Sequence, residues 1–160
     1  MQAEAEPRAH AGSALKLQNF LPYRLAVLAD LVSQALAQIY ADRFDLTRPE
    51  WRVLAALAEL GPVAAKEISA FSTLDKMTVS RAVAVLETKA YLTRRDDPQD
   101  RRNKTLCMTP RGRALYDRIT PLALAREEYL LEALSPVDRA ALDRILSCLL
   151  QRAQDLERRG

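Results

Sequence analysis

The chain has 160 residues, 49% of them hydrophobic, which is enough for one domain with an apolar core. It holds only four glycines and is rich in Ala, Leu and Arg, which favours helices and argues against a disordered or all-β chain. The net charge is +3, and neither an apolar leader nor a run of about 18 apolar residues is present. We therefore expect a soluble cytoplasmic protein with no membrane partner.

The first third of the chain predicts a tail and two helices. Residues 1–14 are polar and Ala-rich, which is typical of a flexible N-terminal tail. From Leu15 to about Asp42, apolar residues recur at helical spacing, and Pro22 lies in the first turns of this helix or marks its true start. Thr47 and Glu50 have the spacing of a capping box, so a second helix follows and runs to about residue 60, where Gly-Pro ends it.

The middle of the chain predicts a helix-turn-helix. A short third helix covers about Ala65 to Phe71, residues 72–74 form the turn, and Asp75 can cap the next helix. That fourth helix has an apolar stripe formed by Val79, Ala82, Val83 and Leu86. Its opposite face is small, hydroxylic and basic, which suits a DNA major groove about 12 Å wide.

A charged hairpin is predicted directly after this helix. Residues 91–93 and 105–108 suit strands, and the segment between them carries turn residues. Arg94 to Arg113 holds seven basic and three acidic residues, a net charge of +4 that leaves the rest of the chain at −1. Positive charge concentrated at one hairpin favours binding to a polyanion over a merely solvated loop.

The helix and hairpin together resemble a known family. The segments TVSRAVAVLE and DPQDRR, followed by LCMTPRG, are similar to the recognition helix and wing of MarR-family transcriptional regulators. The specific part of the pattern is Asp100 and Arg102, followed by Thr109 and Gly112. The resemblance covers nearly the whole chain from about Leu15.

This resemblance implies a mainly α fold with a small β-wing, a winged helix-turn-helix with long N- and C-terminal dimerisation helices. It implies a homodimer on a pseudo-palindromic operator in double-stranded DNA, with Arg102 in the minor groove and Asp100 orienting it. It also implies a brief strand at Val63 and Ala64 that joins the hairpin. Ala90 departs from the family, which usually has Gly there; because Ala adopts a left-handed cap less easily, we expect a different turn.

Two further helices are predicted after the wing. One begins at Thr109-Pro110 and contains Pro121, where a kink is expected, and the other begins at Ser135-Pro136. Their apolar faces, with that of the first helix, exceed what a monomeric cap needs, which favours a dimer. The predicted organisation is a tail at 1–14, a dimerisation region at 15–45 and 110–160, and a DNA-binding lobe at 46–109.

The residues predicted to contact DNA share a basic or hydrogen-bonding character and lie on the fourth helix or the wing. They are Lys76, Met77, Thr78, Ser80, Arg81, Arg95, Asp100, Arg101 and Arg102. Lys76 and Arg95 are expected to touch phosphate only, which tunes affinity but not sequence choice. Ordinary solvent-exposed faces and ion pairs are the alternative interpretation.

A small-molecule effector, often aromatic and acidic, is implied by the same resemblance. Tyr23, Trp51 and Tyr116 are candidate pocket residues, although aromatic residues at helical spacing also occur in cores. Cys107 and Cys148 leave a thiol-gated regulator open as an alternative, and a protein-interaction module that does not bind DNA is another. No metal, cofactor or catalytic motif is present, so we expect no enzyme. A repressor released by its ligand is the leading hypothesis.

Overall fold

A computed structural model describes residues 15–96 and 104–159 of the protein. Its helices and strands, in chain order, are a 3-10 turn at Leu17–Asn19, α1 (Leu21–Phe44), α2 (Arg48–Leu60), β1 (Val63–Ala64), α3 (Ala65–Ser72), α4 (Lys76–Thr88), β2 (Leu92–Asp96), β3 (Lys104–Met108), α5 (Pro110–Leu131) and α6 (Pro136–Arg159). The prediction of a mainly helical fold with a small β-wing is confirmed. None of these helices has both the length and the apolar character that a bilayer span requires.

The chain divides into two compact units, Met1–Ala35 and Leu36–Gly160. The described part of the first unit is the 3-10 turn and the beginning of α1. This helix starts at Leu21 with Pro22 in its first turn, so Pro22 marks its true start, as one of the two predicted alternatives had it, and the helix does not extend back to Leu15. Proline has no N–H to donate, and this loss is harmless only in a first turn. The predicted tail at 1–14 lies outside the described residues.

The second unit contains the core, and α2 lies at its centre. Thr47 caps α2: the Glu50 amide donates to Thr47 Oγ1 at 3.4 Å, and the Thr47 amide donates to Glu50 Oε2 at 3.2 Å. The helix ends at Gly61, whose φ of 74° is accessible to glycine at little cost. The capping box and the Gly-Pro stop are therefore both confirmed.

The core joins α2, α3, α4, α5 and the sheet. Its fully buried side chains include Val53, Leu54, Leu57, Ile68, Val79, Val83, Leu86, Leu106 and Ile119. All four members of the predicted α4 stripe are buried. Burial of each large aliphatic side chain contributes about 1.5–3 kcal/mol, so this packing holds α4 firmly to the rest of the unit.

The three strands form an antiparallel sheet in the order β1-β3-β2. β1 pairs with β3 through Val63 opposite Leu106, so the brief strand implied by the family resemblance is present. β2 and β3 form the hairpin, with Leu92 opposite Met108 at its base and Asp96 opposite Lys104 at its outer end. The sheet thus connects the start of α3 to the base of the wing.

The turn after α4 is left-handed, so the expectation of a different turn at Ala90 is wrong. Ala90 has a φ of 58°. Its amide donates to Glu87 O at 2.9 Å and the Tyr91 amide donates to Leu86 O at 2.9 Å, the two bonds of a Schellman cap. These bonds and the packing around Tyr91 outweigh the clash between the alanine Cβ and the backbone.

Substituting Ala90→Gly should stabilise the protein. A left-handed conformation costs a residue with a Cβ about 1–2 kcal/mol. Removing the Cβ of Ala90 should therefore raise the free energy of unfolding by about 1 kcal/mol. Urea unfolding followed by circular dichroism measures this change. The matched control is Ala84→Gly, at an exposed position within α4, which should lower stability by about the same amount. A loss of stability in Ala90→Gly would contradict this account of the turn.

Candidate nucleic-acid interface

The turn between α3 and α4 is held by hydrogen bonds from a side chain of α2. Thr73 is in the left-handed region with a φ of 58°. Arg52 of α2 donates from Nη1 to Ser72 O at 3.3 Å and to Thr73 Oγ1 at 3.4 Å. Ser69 Oγ donates to Leu74 O at 2.6 Å. Arg52 was not predicted from the sequence, because its partners lie 20 and 21 residues away and no local pattern marks them.

Asp75 caps α4 as predicted. The Thr78 amide donates to Asp75 Oδ1 at 2.9 Å, and the Thr78 hydroxyl donates to Asp75 Oδ2 at 2.6 Å. The hydroxyl bond, with the backbone bond, lowers the pKa of the Asp75 carboxyl from its ordinary value. Because the Thr78 proton is committed to Asp75, the Thr78 oxygen is left to accept a hydrogen bond. Phosphate oxygens only accept, so in this rotamer Thr78 is suited to an amino group of a base.

The face of α4 opposite the core is exposed over its whole length. Met77 is 63% exposed, and Lys76, Ser80, Arg81 and Ala84 are also exposed. The residues predicted for this helix therefore share one accessible surface, except that Thr78 is half-buried. The arrangement presents a cation, a hydroxyl group and a thioether within about two turns of helix.

The C-terminal end of α4 is anchored to the corner between α1 and α2. Lys89 Nζ donates to the Asp45 carbonyl oxygen and lies 3.2 Å from Asp45 Oδ2 and 3.4 Å from Glu50 Oε2. Glu50 is buried, so Lys89 supplies the opposite charge that its carboxylate needs. Burial acts to lower the pKa of Lys89, but the bond to Asp45 and the charges of both acids raise it overall.

Ion pairs hold the wing to α4 and join its two strands. Arg94 Nε of β2 donates to Glu87 Oε2 of α4 at 2.9 Å, and Lys104 of β3 pairs with Asp96 of β2. Arg95 is exposed and alternates with Arg94 along β2, so it points to the other face of the hairpin. The predicted contacts Asp100, Arg101 and Arg102 lie outside the described residues.

Three aromatic rings stack between α1, α2 and α5. The Trp51 centroid lies 6.0 Å from that of Tyr40 and 5.6 Å from that of Tyr116, with interplanar angles of 18° and 17°. Burial raises the pKa of Tyr40. The structure thus brings two of the three predicted effector residues, Trp51 and Tyr116, into direct contact. Tyr23 belongs to the other unit, and an effector role for the three stays a prediction.

A separate open groove of about 380 Å³ lies beside α5. It is lined by Ile39, Arg43, Leu122, Ala125, Arg126 and Tyr129. Two arginines therefore flank a largely apolar floor. None of these six residues was predicted as a site, because their proximity depends on how α1 and α5 pack.

The two thiols differ in environment, since Cys107 is buried and Cys148 is exposed.

The structure has an exposed helix that is basic at two positions, a turn before it that Arg52 holds, and an adjoining hairpin. These features define a winged helix-turn-helix DNA-binding regulator. A sequence profile described as the MarR family matches residues 44–103. The HTH-type transcriptional regulator YwoH of Bacillus subtilis is 31% identical over 108 residues, which cover 68% of this chain and 78% of that protein. The chain belongs to the MarR family of transcriptional regulators.

Solved structures share this fold. A MarR/EmrR family regulator from Acinetobacter superposes with a TM-score of 0.80 at 26% identity, over 88% of this chain and 99% of that one. BpsR of Bordetella bronchiseptica, whose DNA binding is regulated by 6-hydroxynicotinic acid, superposes with a TM-score of 0.77 at 24% identity, over 86% and 97% of the two chains. YwoH and the Acinetobacter protein are transcriptional regulators, so the prediction that the chain is not an enzyme is confirmed.

Proposed function

We propose that the protein is a homodimeric, sequence-specific repressor that a small ligand releases from its operator. The exposed face of α4 carries the proposal, because it aligns Met77, Ser80 and Arg81 beside the wing. In this proposal Arg81 and Ser80 contact base edges, Lys76 and Arg95 contact phosphates, and Thr78 accepts from a base. Arg102, oriented by Asp100 and assisted by Arg101, enters the minor groove. The relatives are bacterial, so such a repressor would meet its operator in the cytoplasm.

Substitution of Arg81 tests sequence reading. Arg81→Ala should weaken binding to the preferred duplex by about 1–3 kcal/mol and relax the choice of base at one position of each half-site. Lys76→Ala should weaken binding to all duplexes alike and lower the slope of log K against log salt by about one. Fluorescence anisotropy across a salt series, on duplexes that the wild type selects from a random pool, measures both effects.

The control for these variants is Arg158→Ala, which removes the same charge from an exposed position on α6, about 140° around the helix from Ile145. It should change affinity little. Unchanged binding and base preference in Arg81→Ala, with α4 still folded, would overturn the assignment of this helix to the major groove.

The dimer proposal rests on apolar surface that one chain leaves uncovered. No residue of α6 is buried. Val137 is 78% exposed and Leu150 is 63% exposed, and Ile145 and Leu146 on the same stripe are also exposed. Water contact with this much aliphatic surface is unfavourable, and packing against a second copy would remove it. Accordingly, we assign residues 15–45 and 110–160 to dimerisation and residues 46–109 to the DNA-binding lobe.

A charge placed in the stripe should dissociate the dimer. Ile145→Lys should halve the mass measured by light scattering at micromolar concentration, because a buried unpaired ammonium group is costly. It should also weaken operator binding, since two recognition helices must engage half-sites about 34–36 Å apart. Gln154→Lys, on the opposite side of α6, is the matched control and should remain dimeric. A wild type that is monomeric would refute the proposal.

The groove beside α5 is our proposed effector site. Its apolar floor suits an aromatic or aliphatic body, and Arg43 and Arg126 suit a carboxylate. Neither arginine takes part in the ion pairs found among the described residues. BpsR indicates that this fold can respond to an aromatic acid. A ligand shifts DNA binding only by favouring one arrangement of the recognition helices, and α5 runs from this groove to the wing.

Arginine variants test the groove. At about 100 times its Kd, a ligand of the native state stabilises a protein by about 2.7 kcal/mol, which a thermal-shift screen of small aromatic carboxylates detects. Arg43→Ala and Arg126→Ala should each abolish that shift and the accompanying release from DNA. Arg118→Ala is the control, because Arg118 stacks on Phe44 and does not line the groove. An equal shift in all three variants would place the effector elsewhere.

A further inference from the structure

The segment after α4 and the start of α5 are bonded to each other where the two wing strands meet. We define the α4–α5 joint as Ala90, Tyr91, Thr109 and Gly112. Thr109 Oγ1 donates to Ala90 O at 2.7 Å, and the Thr109 amide donates to Tyr91 O at 3.1 Å. The Gly112 amide donates to Thr109 Oγ1 at 3.0 Å, so the same hydroxyl also caps α5.

The joint is closed tightly enough to exclude a methyl group. A Cβ on Gly112 would lie 2.0 Å from Tyr91 O and 2.9 Å from Tyr91 C, so only glycine allows this approach. The Arg111 guanidinium lies over the Tyr91 ring, 5.2 Å from its centroid. The last residue pair of the hairpin, Leu92 and Met108, is directly adjacent. The end of the recognition helix, the base of the wing and the first turn of α5 therefore meet at one point.

We propose that the α4–α5 joint determines the spacing between half-sites that the protein accepts, with Thr109 as its positioning residue. This inference rests on the proposed homodimer. In that dimer α5 belongs to the dimerisation region, so its direction is set by contact between the two copies. The joint fixes the recognition helix and the wing to α5. The direction of α5 in the dimer therefore sets the distance between the two recognition helices. A loosened joint lets each lobe pivot and fit a half-site displaced by one base pair.

Two properties of the joint argue that Thr109 does more than cap a helix. A capping side chain needs only to accept from a backbone amide, as Thr47 Oγ1 does for the Glu50 amide at the start of α2. Thr109 additionally donates its proton to a carbonyl nineteen residues earlier in the chain. Ala90, which receives that bond, is held in a left-handed conformation, so the carbonyl has a defined direction.

The test compares duplexes that differ only in half-site spacing. The probes are an operator selected by the wild type from a random pool and versions with one base pair added to or removed from its centre. The readout is the ratio of Kd values for altered and selected spacing. Wild type and Thr109→Ser, which keeps both hydroxyl bonds, should discriminate by about tenfold or more. Thr109→Val, which has the same shape but no hydroxyl, should discriminate by only about twofold.

The ratio separates spacing choice from general effects. Reduced stability or reduced charge changes the Kd for all probes alike and leaves the ratio unchanged. If circular dichroism shows Thr109→Val unfolded at the assay temperature, Thr109→Ala takes its place, because it removes the same hydroxyl bonds and leaves a smaller side chain.

The outcomes distinguish this inference from the proposed dimer. A folded Thr109→Val or Thr109→Ala with the wild-type ratio overturns the joint as the determinant of spacing. A wild type that is itself indifferent to spacing overturns the paired half-site function instead. A relaxed ratio in the variant, restored in Thr109→Ser, supports the inference.

Discussion

Burial of one face of α4 is the constraint on which the function of the protein depends. Val79, Ala82, Val83 and Leu86 pack into the core and hold the helix in a single rotational setting. Burial of the apolar face prevents the helix from rotating about its axis. The exposed face therefore always presents the same side chains to a partner. The exposed positions of Lys76, Met77 and Arg81 are thus a consequence of hydrophobic packing. Their chemistry then decides what they bind.

Both ends of α4 and the turn before it are held by polar contacts. Asp75 closes the N-terminus, Arg52 supports the preceding turn, and Lys89 ties the C-terminus to Asp45 and the buried Glu50. These contacts connect α4 to α2 and to the end of α1. Hydrophobic burial is non-directional, whereas hydrogen bonds and ion pairs require a particular geometry. Packing therefore supplies the stability of the recognition helix, and the polar contacts determine where its ends lie.

The helices outside the DNA-binding lobe account for the regulatory part of the proposal. α5 begins at the α4–α5 joint and passes the groove lined by Arg43 and Arg126. α6 follows with an apolar stripe that has no cover in a single chain. α5 thus connects the DNA-binding lobe with the proposed effector groove and, through α6, with the proposed subunit contact. In such an arrangement, a ligand needs only to change the direction of α5 to alter the separation of two recognition helices.

Much of this protein was determined by the sequence alone, because its strongest signals are local. The α4 stripe, the caps at Thr47 and Asp75, the start of α5 at Thr109-Pro110 and the stop at Gly61 each depend on residues within a few positions of one another, and the structure has them as predicted. Family motifs carried the winged helix and its DNA-binding role. Only the tertiary structure decided the features that depend on distant partners.

Among those features are the clamp by Arg52, the anchor at Lys89 and the groove beside α5. The left-handed turn at Ala90 belongs with them: local preference opposes it, and the hydrogen bonds and packing of the joint impose it. Trp51 and Tyr116 illustrate the same limit, because helical spacing could not reveal that their rings stack on each other. Sequence periodicity indicates which face of a helix is apolar. Which other helix or strand packs against that face is decided by the tertiary structure.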